Sequence, residues 1–372
     1  MRHNASGQSS NLYRLAEQLN MQERRIMDFS TPVNPLGVSK KIKAELRKHL
    51  KYLLNYPDPE AGRLKKRLGQ YHGINPEMVY CSAGSTELFC LLLRTLKPGN
   101  ILMPAPSNPA YERAIKNSCE ARITYYELKK ENNFEMRSDE FIAALSGDRF
   151  TPVRDACSMA IFGNPHNPTG RLIKKADIHR IADAARDRKY YLVVDESFMD
   201  FCPDESIIPA VHENPYIIVM RTMSVFYALA GLRMGYGIFS PELVDMVQVN
   251  NMPWTVNNLA QRAAVIALRD RVYREETFRL MQAEKKFFEK SFRKLGIEYF
   301  ATDANFYLMK MENAEDLYQQ LKKKGILLES CSGYRGLDST YLRVAVRTHK
   351  ENAKLIKVLT AICNGKSASE KT

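Results

Sequence analysis

A carboxylate at the end of a strongly apolar segment is a candidate functional residue of this sequence. Asp195 closes the apolar run in YYLVVDESFMDF. An ionised carboxylate in such surroundings is costly unless a cation or a strong donor meets it, so a protonated ring nitrogen on a ligand is a natural partner. A capping aspartate at a strand end is the plainer alternative, and the neighbouring motifs favour the ligand.

A loop rich in proline and amides comes before this segment. In IFGNPHNPTGRLI, Asn164 and Asn167 follow an apolar strand at the expected carboxyl edge of the sheet, where the ligands of open α/β sheets collect. An ordinary Pro/Gly turn would explain the prolines and the glycine. A loop that carries both asparagines is more specific than turn chemistry requires, so the sequence predicts amide donors to a ligand.

The stretch YCSAGSTELFCLLL predicts an anion site. A predicted strand runs through Gly84, Ser85 and Thr86 into a predicted helix. Backbone N–H groups at a helix start, with small hydroxylated side chains beside them, attract anions. Capping of the helix by Gly and Ser, with no ligand, is the alternative.

A second segment, RTMSVFYALAGLRMGYGIF, places Thr222, Ser224 and Arg233 around Val225. Arg233 can close a charge-assisted pair on a phosphate, and an ordinary surface arginine is the alternative. The segment therefore adds a candidate cation to the candidate anion site.

The elements that must position these residues follow from periodicity. Between about residues 78 and 240, short apolar runs alternate with helical patterns, which is typical of a mostly parallel sheet covered by helices. The seven predicted strands are MVYCS, NILMPA, ARITYYEL, ACSMAIFGN, YYLVVDES, PYIIVMR and MGYGIF. Long helical periodicity then leads into a C-terminal part of alternating strands and helices. We predict an α/β protein with a large domain at 50–265 and a small α+β domain made of 1–49 plus 266–372.

Composition limits the classes of function. The 372 residues are 45% hydrophobic, which is enough for a sizeable core. The formal charge of +13 lies along amphipathic segments such as KKIKAELRKHLKYLL, so we predict attraction of a phosphorylated small molecule and no nucleic-acid partner. The seven scattered cysteines predict neither disulfides nor a metal site. Without an apolar run for a membrane helix or a signal peptide, we expect no membrane partner and a cytoplasmic location.

Taken in order, these segments resemble the fold-type-I, pyridoxal-phosphate-dependent aminotransferase family over nearly the whole chain. Within it, the sequence is most similar to the threonine-phosphate decarboxylases of cobalamin biosynthesis, and next to the histidinol-phosphate aminotransferases. The stretches that favour the decarboxylases are DFSTPVNPLG, NYPDPEAGRLKKRL, DESFMDFCPDES (which includes Phe198) and CSGYRGLDSTYLRVAVRTHKEN. The resemblance implies a three-layer fold with a mainly parallel sheet in the large domain and a smaller α+β domain.

The resemblance also implies a role for each site residue. Asp195 would pair with the pyridine nitrogen of pyridoxal 5'-phosphate, Asn167 would hydrogen-bond its phenolic oxygen, and Ser224 would belong to the same pocket. The residues implied around the cofactor phosphate are Gly84, Ser85, Thr86, Thr222 and Arg233, with Tyr56 reaching in from a partner subunit. The residues implied at the substrate are Arg343, which would hold a carboxylate, and Asn34 and Asn305 beside it. The invading Tyr56 implies a homodimer.

Two positions depart from the family pattern. The lysine that would hold the cofactor is here Val225, and valine has no amine to form the covalent bond or to move a proton. The sequence has no lysine between Lys189 and Lys285, so a register shift cannot supply one. The aromatic residue that would stack on the cofactor ring is Asn108 in PAPSNPAYERA, and an amide contributes less stacking. The two departures together favour natural divergence over an introduced change at Val225.

Three hypotheses follow for the function. The first is a pyridoxal-phosphate enzyme of the decarboxylase or aminotransferase type, acting on a phosphorylated amino acid, whose chemistry is lost or altered and whose cofactor binds without a covalent bond. The second is a non-catalytic homodimer that senses or holds a ligand on the same fold, in a regulatory role. The third is an enzyme that uses the pocket on a phosphorylated small molecule with no covalently held cofactor.

Overall fold

A computed structural model of the chain describes residues 11–147, 150 and 157–369. Its strands are β1 Met27–Asp28, β2 Val79–Ser82, β3 Asn100–Ala105, β4 Arg122–Glu127, β5 Ser158–Gly163, β6 Tyr191–Asp195, β7 Ile217–Thr222, β8 Gly235–Ile238, β9 Glu298–Tyr299, β10 Phe306–Lys310, β11 Ile326–Leu327, β12 Glu329–Ser330 and β13 Tyr341–Ala345. Its helices are α1 Leu12–Gln18, α2 Lys40–His49, α3 Gly62–His72, α4 Ser85–Leu96, α5 Pro109–Ser118, α6 Ser138–Ser146, α7 Lys175–Asp187, α8 Pro241–Val249, α9 Asn258–Ala267, α10 Arg271–Leu295, α11 Ala314–Lys323 and α12 His349–Ser369.

The main sheet has seven strands in the order β2-β8-β7-β6-β5-β3-β4. Strands β4, β3, β5, β6 and β7 run parallel, and β8 pairs antiparallel with both β7 and β2. Each of the seven predicted strand segments contains one of these strands, although Ala156, at the start of ACSMAIFGN, lies outside the described residues. The prediction of an α/β protein with a mainly parallel sheet is confirmed.

Both faces of this sheet are buried, which gives the fold its three layers. On β6, Leu192 and Val194 belong to one apolar cluster, and Val193 belongs to a second cluster on the opposite face. Neighbouring β7 alternates in the same way, because successive side chains of a strand point to opposite faces. A parallel sheet covered by helices on both faces reads as continuous apolar runs, and this is why the strand segments lack a polar side.

A smaller antiparallel sheet, β12-β13-β10-β9, is built from the C-terminal part of the chain. Strand β1 comes from the N-terminal part and pairs with β11, with Met27 opposite Ile326. The two ends of the chain therefore meet. Ile42 of α2 packs into the core of the main sheet, so α2 lies on the large-domain side, although the predicted boundary at residue 50 would assign it to the small domain. The domain boundaries themselves stay a prediction.

No helix within the described part of the chain is both long and apolar enough to cross a membrane.

Candidate active site

The polar residues singled out from the sequence meet at a cavity of about 220 Å³ beside the carboxyl ends of β5, β6 and β7. Parallel strands bring their carboxyl ends to one edge of the sheet, so residues far apart in the chain become neighbours there. The expected site residues that line it are Ser85, Thr86, Asn108, Asn167, Asp195, Thr222, Ser224, Val225 and Arg233. The cavity is also lined by Tyr111, Ser197 and Phe198.

Asp195 is a buried carboxylate whose partners are neutral donors. The hydroxyl of Tyr111 donates to its Oδ2 at 2.6 Å. The backbone N–H and the hydroxyl of Ser197 both donate to its Oδ1, at 3.0 and 2.5 Å. Burial raises the pKa of Asp195, and the bonds from Ser197 and Tyr111 act in the opposite direction. Within the described residues, no Lys, Arg or His side chain forms an ion pair with it, so the carboxylate can accept a cation from a ligand.

The start of α4 forms the anion-binding end of the cavity. Gly84 precedes the helix with φ +98°, a backbone conformation that favours glycine. A Cβ atom on Gly84 would lie 2.5 Å from Nη2 of Arg233, and a Cβ atom on Gly235 would lie 2.5 Å from the backbone N of Ser85. Only glycine therefore lets the strand, the arginine and the helix start approach so closely, and the resulting cradle combines helix-start N–H groups with a guanidinium.

Two side chains complete this end. Arg233 is exposed to the cavity, and its Nη1 donates to the carbonyl of Ala230 at 3.2 Å. Thr222 is the last residue of β7, and its Oγ1 accepts from the backbone N of Ser224 at 3.2 Å. The hydroxyl hydrogen of Thr222 points to the carbonyl of Met234 at the long distance of 3.4 Å, so little hydrogen-bond energy opposes its turning to an anion.

Asn167 is connected to a buried arginine. Its Oδ1 accepts from Nη1 of Arg343 at 2.6 Å, and Nη2 of Arg343 donates to the carbonyl of Ser30 at 2.7 Å. The Nε of Arg343 is buried with no hydrogen-bond partner among the described residues. The guanidinium lies over the ring of Phe306, 5.3 Å from its centroid. Arg343 does not line the cavity, but Asn167 connects it to the wall.

Asn34 and Asn305, which the resemblance placed at the substrate, have side chains engaged elsewhere. The amide of Asn34 donates to the carbonyl of Phe226 at 2.8 Å and to Thr277 at 2.7 Å. The amide of Asn305 donates to the carbonyl of Pro32 at 2.8 Å. Neither residue lines the cavity. The backbone N of Asn34 does donate to the carbonyl of Val225 at 2.9 Å, so Asn34 supports the cavity wall from behind.

Val225 and Asn108 contribute differently to the cavity wall: Val225 is apolar, and Asn108 is a polar residue that caps a helix. Val225 packs against a small apolar cluster formed by Phe198, Ala304 and Phe306, so this side of the cavity offers no amine. Asn108 is the N-cap of α5, and its Oδ1 accepts from the backbone N of Ala110 at 3.1 Å. Its amide therefore serves the helix while its remaining surface faces the cavity.

Tyr56 does not line this cavity in its own chain. Its side chain is 82% exposed and lies beside Trp254, with ring centroids 5.3 Å apart. An exposed aromatic side chain of this kind is consistent with a residue that reaches another subunit.

Tyr111 and Ser197 are the site residues that sequence reasoning missed. A serine two residues after a strand-end aspartate is a common hydrogen-bond pattern, so DES was an available signal for Ser197. Nothing local indicates the bond from Tyr111, which is 84 positions away from Asp195 in the chain. That contact depends on the order of the strands.

The described residues fit pyridoxal phosphate at two of its groups and not at a third. The cradle at Gly84 and Arg233 suits a phosphate, and Asp195 suits a protonated ring nitrogen. The Val225 wall has no amine for the carbonyl group. No cluster of three or more metal-ligating side chains occurs among the residues with described positions.

A three-layer fold with a strand-end carboxylate and a helix-start anion cradle defines the fold-type-I class of pyridoxal-phosphate-dependent transferases. The aminotransferase class I and II family model matches residues 24–359, and the chain belongs to this family.

Relatives agree with this assignment. Threonine-phosphate decarboxylase of Salmonella typhimurium is 32% identical over 97% of both chains. The structure of a histidinol-phosphate aminotransferase from Clostridium acetobutylicum, 29% identical, superposes with a TM-score of 0.84 over 91% of this chain and 100% of the other. A histidinol-phosphate aminotransferase from Sinorhizobium meliloti, solved in complex with pyridoxal-5'-phosphate, shares the fold with a TM-score of 0.85 at 18% identity, over 98% of each chain.

Proposed function

We propose that this chain is a lysine-less relative of the threonine-phosphate decarboxylases that binds pyridoxal phosphate reversibly and has at most background activity in ordinary decarboxylation or transamination. The observation that carries the proposal is the environment of Asp195, a buried carboxylate with hydroxyl partners and no cation within the described structure. A site that had lost all binding would have no reason to keep this costly group beside an anion cradle.

Each retained residue has a physical task in this binding. The helix start at Ser85 and the guanidinium of Arg233 would hold the phosphate, and Thr222 would add a hydroxyl donor. Asp195 would keep a proton on the ring nitrogen, because a buried anion favours the cationic form of its partner. Burial and the charge of Asp195 raise the pKa of Tyr111 well above its usual value, so Tyr111 keeps its proton and goes on donating to Asp195.

The missing amine limits the chemistry. When bound, pyridoxal phosphate supplies a carbonyl that condenses with amines and a ring that withdraws electrons. Val225 can neither exchange with a substrate amine nor move a proton at the substrate's α carbon. Ser224, the neighbour of Val225 in the cavity wall, carries a hydroxyl, and an unactivated serine is a poor base at neutral pH. We therefore expect turnover near background even when the pocket is filled.

By analogy with the threonine-phosphate decarboxylase of Salmonella typhimurium, the proposed ligand class is a phosphorylated amino acid. Arg343 supports a carboxylate subsite, since it is a buried guanidinium with an unpartnered Nε and neutral hydrogen-bond partners in the described chain. A histidinol-phosphate-type aminotransferase is a second candidate, favoured by the superposition with the Clostridium acetobutylicum protein. A regulatory homodimer that holds a ligand without turnover uses the same pocket and predicts the same binding.

Homodimerisation is part of the proposal. Large exposed apolar side chains gather on two neighbouring segments, namely Leu50, Tyr52, Leu53, Leu54, Tyr56, Met246, Val249, Met252 and Trp254. The side chain of Asn258 donates to the carbonyl of Tyr52 at 3.0 Å, and Tyr56 lies beside Trp254, so the two segments form one surface. An apolar patch of this extent marks an interaction site. A second copy would cover it and would carry Tyr56 to the neighbouring cavity.

Ligand titration tests the proposal. Pyridoxal phosphate and inorganic phosphate should each bind the wild-type protein, and Arg233→Ala should weaken both by roughly ten- to a hundredfold, because a charge-assisted hydrogen bond contributes about 1.5–3 kcal/mol. Arg269→Ala, at a residue outside the cavity, is the matched control. Absence of binding by both ligands would refute the proposal, and robust decarboxylation of threonine phosphate by the unmodified chain would refute the role given to Val225.

The proposed homodimer is tested separately. Light scattering at micromolar concentration should give the mass of two chains.

A further inference from the structure

A buried ionic cluster lies directly behind the cavity, on the other face of the main sheet. Nε of Arg221 donates to Oε2 of Glu196 at 2.9 Å, and Nη1 of Arg221 lies 3.3 Å from Oδ1 of Asp200. The hydroxyl of Ser206 accepts from Nη2 of Arg221 at 3.2 Å and donates to Oε2 of Glu196 at 2.7 Å. The backbone N of Ile207 donates to Oε1 of Glu196 at 2.8 Å. Both carboxylate oxygens of Glu196 thus accept hydrogen bonds from inside the protein.

The position of this cluster in the strands gives it a relation to the site. Glu196 follows Asp195 at the end of β6, and Arg221 precedes Thr222 at the end of β7. Side chains of a strand alternate between faces, so Glu196 and Arg221 share the face opposite to the one that Asp195 and Thr222 share. The backbone N of Glu196 also donates to the carbonyl of Met220 at 2.8 Å. The ion pair therefore ties together two strand ends whose neighbouring residues line the cavity.

Such a cluster is not explained by stability. Removing several charges from water costs more than their attraction returns in many proteins, and replacing a buried ion cluster with neutral or apolar residues is often neutral or stabilising. Glu196 is 0% exposed and Arg221 is 2% exposed, so the desolvation cost is large here. What this cluster supplies is a fixed geometry, because the guanidinium of Arg221 contacts Glu196, Asp200 and Ser206 through three different nitrogens.

We infer that Glu196, Arg221 and Ser206 are positioning residues that fix the separation between Asp195 and Thr222, and so match the cavity to a ligand that spans a ring cation and a phosphate. The inference rests on the proposed function. The cluster would set the distance between the subsite at Asp195 and the subsite at Thr222. It would not change the affinity of either subsite alone. A ligand that contacts both strand ends should depend on the cluster, whereas a ligand that contacts only the phosphate end should not.

Two ligands separate these cases. Pyridoxal phosphate would reach both Asp195 and Thr222, and inorganic phosphate would reach only the cradle with Thr222. In the neutral triple variant Glu196→Gln, Asp200→Asn, Arg221→Met, the affinity for pyridoxal phosphate should fall at least tenfold, and the affinity for inorganic phosphate should change less than twofold. A general loosening of the fold would weaken both ligands together, so the ratio of the two affinities is the informative readout.

A milder variant protects the test against misfolding. Ser206→Ala removes the hydroxyl that bridges Arg221 and Glu196 and should lower pyridoxal phosphate affinity a few fold with phosphate affinity unchanged. Lys130→Met, which breaks an exposed ion pair with Glu298, is the control and should change neither affinity.

The outcomes distinguish the two proposals. Wild-type protein that binds neither ligand would overturn the proposed function and this inference with it. Wild-type protein that binds both, with variants that lose neither ligand or lose both equally, would overturn the positioning role alone. A selective loss of pyridoxal phosphate in the triple variant, or in Ser206→Ala if the triple variant does not fold, would support it.

Discussion

Asp195 and Glu196 are consecutive carboxylates at the end of one strand, and the protein treats them in opposite ways. Glu196 meets an arginine, a serine hydroxyl and a backbone N–H on one face of the sheet. Asp195 meets only hydroxyls and a backbone N–H on the other face. Both lie in surroundings that penalise charge, so their burial alone does not distinguish them. The comparison indicates that Glu196, whose charge is compensated by the protein, fixes the positions of its neighbours. Asp195, which has no counter-ion among the described residues, is available to bind a ligand.

The largest expected effect sharpens this comparison through stability. Glu196→Leu should lower the free energy of unfolding by about 3–5 kcal/mol, because it breaks a buried pair and leaves Arg221 with less compensation. Asp195→Leu should cause a clearly smaller loss, since no buried cation is left behind. Urea denaturation of the two variants, in the absence of ligand, measures both values. Equal losses of unfolding free energy would contradict the prediction that only Glu196 compensates a buried cation.

The next effect concerns ligand affinity. Asp195→Asn should weaken pyridoxal phosphate by about 1.5–3 kcal/mol, because a charge-assisted bond to the ring nitrogen becomes a neutral one. Inorganic phosphate, which does not reach Asp195, serves as the internal control and should bind as before. In the ligand-free protein the same change should not lower stability at neutral pH. Burial raises the pKa of Asp195, so its ionised form costs stability as pH rises through that pKa. An unchanged affinity for pyridoxal phosphate in Asp195→Asn would contradict the pairing.

A pH effect of similar size belongs to the Glu196 side of the sheet. Burial, and then the positive charges of Arg221 and Arg274, lowers the pKa of His72 to about 3. The unfolded chain binds this proton near pH 6.5 and the folded chain does not, so stability is lost as pH falls below about 6.5. Between pH 7 and pH 5 the contribution is about 2 kcal/mol. His72→Gln should flatten the pH dependence of the unfolding free energy by this amount, and an identical slope in wild type and variant would be evidence against a neutral, half-buried His72.

The smallest effect tests the other departure in the wall. Asn108→Tyr should raise the affinity for pyridoxal phosphate by about 0.5–1.5 kcal/mol through stacking, while its loss of the α5 N-cap should cost about 1 kcal/mol of stability. Asn108→Ser retains a capping oxygen without an aromatic ring and should change the affinity little. If Asn108→Ser also bound pyridoxal phosphate more tightly, stacking could not explain the gain in Asn108→Tyr.

The strands of this fold could be predicted from the sequence, whereas the hydrogen-bond partners of the site residues could be predicted only in part. All seven main strands were predictable because a parallel sheet buried on both faces leaves continuous apolar runs between helical segments. The rule that ligands gather at carboxyl ends of strands brought Asn167 and Asp195 together without a structure.

Contacts that depend on how distant segments pack could not be read in the same way. The hydroxyl of Tyr111 reaches Asp195 only because β3 and β6 flank β5 in the sheet. Asn34 and Asn305 have the residue type expected of a ligand pocket, but their amides bond to carbonyl groups of the chain itself. Ile42 of α2 packs into the larger core, and its amphipathic pattern indicates a buried side without identifying which core covers it.

The most direct test of the account is chemical trapping of bound pyridoxal phosphate. Treatment of the loaded wild-type protein with borohydride, followed by mass measurement of the chain, should give no stoichiometric adduct, and dialysis should remove the ligand. Val225→Lys, treated in the same way, should gain the mass of one cofactor per chain at residue 225. A stoichiometric adduct on a lysine of the unmodified chain would contradict the account, because another residue would then supply the amine that Val225 lacks.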